Sequence, residues 1–193
     1  MNRFFIALIP PQDIQDYAAR VIQDLTNRYG TATAKAPPHV TLQPPFMWQM
    51  ATLSDLEQCL QNFVQTRSPV PVTLSGFGAF PPRVLYLNVL KTPELLSLQA
   101  DLMNQLESQL GITDPTTKQR GFSPHLTVAS RNINKPIFKQ AWSELQPQSI
   151  EFQFRSDRIT LLLHDGQRWQ VRSEFSCSGG MMSGLLDNKT DLG

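Results

Sequence analysis

The chain has 193 residues, with 17 basic and 16 acidic side chains, two cysteines (Cys59 and Cys177) and three histidines (His39, His125 and His164). That length suits one large domain or two small lobes, and the balanced charge excludes a polybasic coat for nucleic acid or membrane. Two cysteines cannot build a disulfide framework or a four-cysteine zinc site, and they suit a reducing compartment.

Phe4, Phe5, Ile6, Ala7, Leu8 and Ile9 form an apolar run that stops at Pro10 and Pro11. This predicts a buried strand and is too short for an export signal. Ile14, Tyr17, Ala18, Val21, Ile22 and Leu25 recur at helical spacing, with Gly30 as a stop. A strand is expected over residues 39–43. Leu53, Leu56, Leu60, Phe63 and Val64 then mark a second helix, for which Ser54 and Glu57 supply a capping box. Residues 70–80 are β-like and broken by Gly76 and Gly78, which form no dinucleotide fingerprint because Pro81 follows and no helix opens there.

The same order then recurs. Residues 84–90 predict a strand; Thr92, Pro93 and Glu94 open a helix carried by Leu95, Leu98, Leu102, Leu106 and Leu110 and closed by Gly111. A polar loop leads to a strand over 125–129, then a helix begins at Asn134 and Pro136. Ile150, Phe152 and Phe154 alternate as a strand. Residues 158–163 pair with 167–175 across the turn His164, Asp165, Gly166. Two β-α-β-α-β units offset by about 80 to 90 residues imply an internal duplication. The expected fold is α+β and bilobal, with two antiparallel sheets flanking a central cleft. One domain spans residues 1–175, with repeats over 1–80 and 83–175, and residues 176–193, without periodicity, form a flexible tail. No apolar run reaches membrane-span length, so a soluble cytoplasmic protein is expected, without a membrane partner; a monomer is also expected.

Both copies contain one tetrapeptide: Pro38, His39, Val40, Thr41 and Pro124, His125, Leu126, Thr127. In a strand, His39 and Thr41 share one face while Val40 and Leu42 point to the other; His125 and Thr127 likewise oppose Leu126 and Val128. The aliphatic face anchors each strand and leaves the polar face to line a cleft. Residues two apart lie about 7 Å apart, so one imidazole and one hydroxyl can reach a single phosphate-sized group. An imidazole titrates near 6.5, so one can take a proton from water while another gives one to a leaving oxygen. Threonine hydroxyls can donate to non-bridging oxygens as charge gathers. A cyclic phosphodiester suits such machinery. Two histidines without Cys, Asp or Glu at ligand spacing fall short of a zinc site, so no metal or other cofactor is expected.

These residues, with the surrounding "PPHVTLQPPF", "GFSPHLTVASR" and the opening "RFFIALIPP", resemble the two-histidine (2H) phosphoesterase superfamily, which includes 2′-5′ RNA ligase-like proteins and RNA 2′,3′-cyclic phosphodiesterases. The resemblance implies a bilobal α+β fold, hydrolysis of 2′,3′-cyclic phosphates of RNA or nucleotides to 2′-phosphates, and no metal. His39 and His125 would be catalytic, with Thr41 and Thr127 binding the phosphate. Many ligase-like members carry Arg directly after the second motif strand; here Ser130 stands there and Arg131 follows. Phe46 and Phe122 are candidates to stack a base, and Lys118, Arg120 and Arg131 to meet phosphate. Expected partners are an RNA terminus or a small cyclic-phosphate nucleotide. ATP-independent 2′-5′ RNA ligation is the same chemistry run toward bond formation. A nucleotide- or RNA-binding module without turnover is the alternative from another class, and it has no need of two titratable imidazoles.

Overall fold

A computed structural model describes residues 1–179 of the protein. The tail expected to be flexible therefore lies, from residue 180 on, outside the described residues. Eight strands form two antiparallel sheets of four. The first, in the order β2-β1-β7-β8, contains β1 (Asn2–Leu8), β2 (Val40–Trp48), β7 (Arg158–His164) and β8 (Trp169–Ser176). The second, in the order β5-β4-β3-β6, contains β3 (Val70–Phe80), β4 (Val84–Val89), β5 (His125–Ala129) and β6 (Glu151–Ser156).

The sheets do not coincide with the sequence repeats. Strand β3 closes the first β-α-β-α-β unit yet hydrogen-bonds to β4 and β6 in the second sheet, while the β7-β8 hairpin completes the first. The helices interleave too. Helix α1 (Gln12–Tyr29), which follows β1, packs against β5, and α3 (Pro93–Leu110), which follows β4, packs against β2 and β3. Each motif strand is thus backed by a helix from the other repeat. One hydrogen bond crosses that contact: buried Gln99 of α3 donates its Nε2–H to the Leu42 carbonyl at 3.3 Å. The main core runs continuously between the two sheets, from Phe4 and Leu42 to Leu87 and Leu126.

Local signals explain most boundaries. Gly30 and Gly111 take the left-handed conformation at the ends of α1 and α3, where a side chain would be strained. Thr92 caps α3 by accepting from Leu95 N, and Asn134 caps α5 (Lys135–Leu145) by accepting from Ile137 N. The expected capping box of α2 (Leu53–Gln65) does not form. Thr52 precedes that helix without a side-chain cap, and Glu57 reaches away to accept from Ser173 Oγ and to face Arg172 at 3.6 Å.

Two elements depart from the sequence expectation. Strand β2 runs past Gln43 through Pro44 and Pro45 to Trp48, because it is an edge strand and a proline there forfeits no obligatory ladder bond. Within the polar loop before β5, Asp114 accepts from Thr116 N and starts a short helix, α4 (Pro115–Arg120).

Candidate active site

The two motif strands sit at edges of different sheets and approach one another. Val40, Leu42, Leu126 and Val128 are fully buried, as the alternation requires, and the intervening His39, Thr41, His125 and Thr127 are half-buried. Thr41 and His125, one from each copy, line the same cleft of about 610 Å³. The two imidazoles are close enough that charge on His125 opposes charge on His39.

Each histidine is held in the same way. His39 Nδ1 lies 2.8 Å from the Pro37 carbonyl, and His125 Nδ1 lies 2.8 Å from the Ser123 carbonyl. A carbonyl can only accept, so in each neutral ring the proton is on Nδ1, and Nε2 keeps its lone pair for a substrate. The intervening Pro38 and Pro124 favour an extended residue before them, which presents that carbonyl to the ring. The doubled proline was the visible signal for this support, and the alternation argument passed over it.

Aromatic rings then fix both imidazoles. Phe5 packs against His39 with centroids 4.7 Å apart, and Trp169 meets Phe5 edge-on, also at 4.7 Å. Phe80 meets His125 edge-on at 5.0 Å, and Tyr86 lies tilted against it at 5.1 Å. This enclosure desolvates the rings and holds both histidines below the ordinary imidazole range, the carbonyl bonds offsetting only part of the effect. Cation and base forms therefore exchange on the acid side of neutrality in the free protein.

Among the substrate-binding candidates, the cleft gathers Arg120 and Phe122 beside Thr41 and His125. Phe46 is not there; its ring stacks on Phe4 at 6.2 Å and packs against the core. Lys118 turns back along α4 to pair with Glu107 of α3. Arg131 is exposed and outside the cleft lining, its backbone bridged to Ala32. His164 accepts from Gly166 N at 3.1 Å and serves its turn. Arg158, Arg168 and Arg172 are paired with carboxylates, so the last strands present mixed charge. Burial pushes the thiols of Cys59 and Cys177 up, the opposite of what a nucleophile needs. Lys91, Phe80 and Pro44 also line the cleft, and sequence order alone did not bring them to it. Among the described residues, no three His, Cys, Asp or Glu side chains form a group able to hold a metal ion. Nor is any helix among them long and apolar enough to cross a membrane.

A family model of the 2′-5′ RNA ligase superfamily matches residues 10–168. The chain belongs to that superfamily. Relatives within it bear the name "Putative phosphoesterase". The protein from Geobacillus kaustophilus is 29% identical over 181 residues, covering 92% of this chain and 97% of its own. That from Bacillus mycoides is 28% identical over 173 residues, covering 88% and 94%. The superfamily fold is also seen in two crystal structures. TT0787 of Thermus thermophilus superposes with a TM-score of 0.67 at 20% identity, covering 92% of this chain and 98% of that one. Escherichia coli LigT in its apo form gives 0.67 at 19% identity over the same shares. LigT has also been crystallised with 3′-AMP, and that complex superposes with a TM-score of 0.58.

Proposed function

We propose that this protein is a metal-independent phosphodiesterase that opens 2′,3′-cyclic phosphates of RNA or nucleotides to 2′-phosphates. The observation that carries the reading is the matched pair of imidazoles, each with Nδ1 spent on a backbone carbonyl and Nε2 left free, with His125 from one copy of the motif and Thr41 from the other lining one cleft. Membership of the superfamily supports phosphoester or 2′-5′ ligase chemistry at the coarser level.

In this reaction one neutral imidazole takes a proton from water as the water oxygen bonds to phosphorus. The P–O3′ bond breaks, and the other imidazole, protonated, gives its proton to O3′, leaving the phosphate on O2′. One ring ends protonated and the other neutral, so exchange with solvent resets the pair. Thr41 and Thr127 donate to the non-bridging oxygens. Each proton transfer contributes about 10² to 10⁴-fold. A 5′-hydroxyl of RNA in place of water gives up its proton and bonds to phosphorus as P–O3′ breaks and O3′ is protonated, so the same steps leave a 2′-5′ bond, the second reading that the superfamily supports.

The test is turnover of nucleoside 2′,3′-cyclic phosphates by the wild type, His39→Ala and His125→Ala. The expected loss in kcat is at least about 10² for either substitution. Wild-type turnover in either variant overturns the two-histidine mechanism, and binding without turnover by the wild type favours a binding module.

A further inference from the structure

The cleft extends beyond the groups that the reacting phosphate needs. In the register of the second sheet, His125 stands opposite Asn88 and Thr127 opposite Tyr86. Lys91 follows Asn88 by three residues, just past the end of β4, so the chain reaches it on the side of His125 away from Thr127. The chain entering β5 comes from that same side and brings Arg120, at the end of α4, into the cleft lining with Lys91. Both side chains belong to exposed residues. Among the described residues no carboxylate lies within ion-pair distance of either, and none lines the cleft. Lys118, on the same short helix, makes the contrast: it is neutralised by Glu107 and stands outside the cleft.

Two cations with no counterion among the described residues, at one end of a cleft, attract a second anion. Phe80, 38% exposed, and Pro44 also line the cleft and offer apolar faces to a sugar or base. We propose that Lys91 and Arg120 form a second phosphate subsite, so that the preferred substrate is a nucleoside 2′,3′-cyclic phosphate carrying a further phosphate on its 5′ side. This rests on the phosphodiesterase reading, and it makes the enzyme selective for the end of a chain over a bare mononucleoside.

The experiment compares adenosine 2′,3′-cyclic phosphate with the same compound bearing a 5′-phosphate. Wild-type kcat/KM is expected to favour the 5′-phosphorylated substrate by about tenfold or more, the scale of a charge-assisted contact. Lys91→Ala and Arg120→Ala bring the ratio toward one, whereas Lys118→Ala keeps it. Equal kcat/KM for the two substrates in the wild type overturns the subsite. So does a ratio unchanged in both cleft variants, or one lost equally in Lys118→Ala. Calorimetric binding of adenosine 3′,5′-bisphosphate against adenosine 3′-monophosphate separates this from the hydrolase reading. A preference for the bisphosphate that depends on Lys91 and Arg120 supports the subsite even if neither cyclic phosphate is turned over. Turnover without any such preference overturns the subsite alone.

Discussion

Tyr86 lies across the backbone of Gly78, in space that any side chain at position 78 would need. A Cβ built there stands 2.2 Å from Tyr86 Cε2 and 2.8 Å from its hydroxyl oxygen. The two residues are opposite one another in the β3-β4 register, and the ring so placed supports both Phe80, at 4.6 Å, and His125, at 5.1 Å. Gly78 therefore serves the candidate site by yielding space, and its backbone needs no left-handed conformation.

Gly78→Ala is expected to push the Tyr86 ring aside and release His125 from one of its supports. Overpacking of this kind costs about 1 to 3 kcal/mol in stability. A misplaced catalytic imidazole costs up to about 10² in kcat/KM. Urea denaturation and turnover of a cyclic phosphate measure the two effects. Adding Tyr86→Ala removes the clash, so Gly78→Ala should cost little stability in that background. An equal cost with and without the Tyr86 ring would show that the glycine matters for some other reason.

The proposed mechanism gives Thr41 and Thr127 the non-bridging oxygens, reached through their hydroxyls. Replacing either by Val keeps a similar shape and deletes the donor, and a loss of about 10² in kcat is expected, the scale of one oxyanion donor. Thr→Ser keeps the hydroxyl and should recover most of the rate. Thr41 and Thr127 variants that lower affinity alone, with kcat intact, would make these residues binding groups without a share in the transition state.

The sequence made the motif strands legible because strand alternation is a local property: His39, Thr41, His125 and Thr127 emerged from residue spacing and repetition. Strand exchange between repeats was not legible. Whether β3 pairs with β1 or with β4 depends on which apolar faces bury together, and Val72 and Leu74 carry no mark of the partner. The same holds for the cleft wall. Lys91 and Arg120 meet there only because β4 and the chain entering β5 run side by side, while Phe46, adjacent to the first motif in sequence, points into the core beside Phe4. Nearness along the chain did find Arg120 and Phe122 at the cleft, but it also named Phe46, Lys118 and Arg131, which do not line it, and it missed Lys91.

Activity is expected to survive chelation. Two imidazoles whose Nδ1 atoms are already engaged by backbone carbonyls fall short of the three or four ligands of a zinc site. Turnover should be the same in excess EDTA and after adding Mg²⁺, Mn²⁺ or Zn²⁺. Loss on chelation, restored by one of these ions, would overturn the metal-free mechanism.

Stability and activity should both report the buried histidines, in opposite ways. Burial, the largest cause, holds His39 and His125 below the ordinary value of 6.5. Above that value both are neutral in the folded and unfolded chains, and their contribution to stability is fully present. As pH falls below it, the unfolded chain binds protons first, so stability is lost progressively until the lower folded-state values are passed. Asp157, Asp165 and Glu144 are themselves held below their ordinary values of 3.8, 3.8 and 4.5, so their titration falls in a more acid window. Urea midpoints should therefore drop as pH falls below about 6.5, and His39→Asn or His125→Asn should flatten the drop. The proposed mechanism needs one ring protonated, so kcat/KM should decline on the alkaline side through a value below 6.5, where the free protein loses that proton. A bound phosphate favours the imidazolium, which moves the corresponding limb of kcat to higher pH. A kcat limb at lower pH than that of kcat/KM would mean that the substrate does not meet the charged ring, and the acid-base assignment would fall with it.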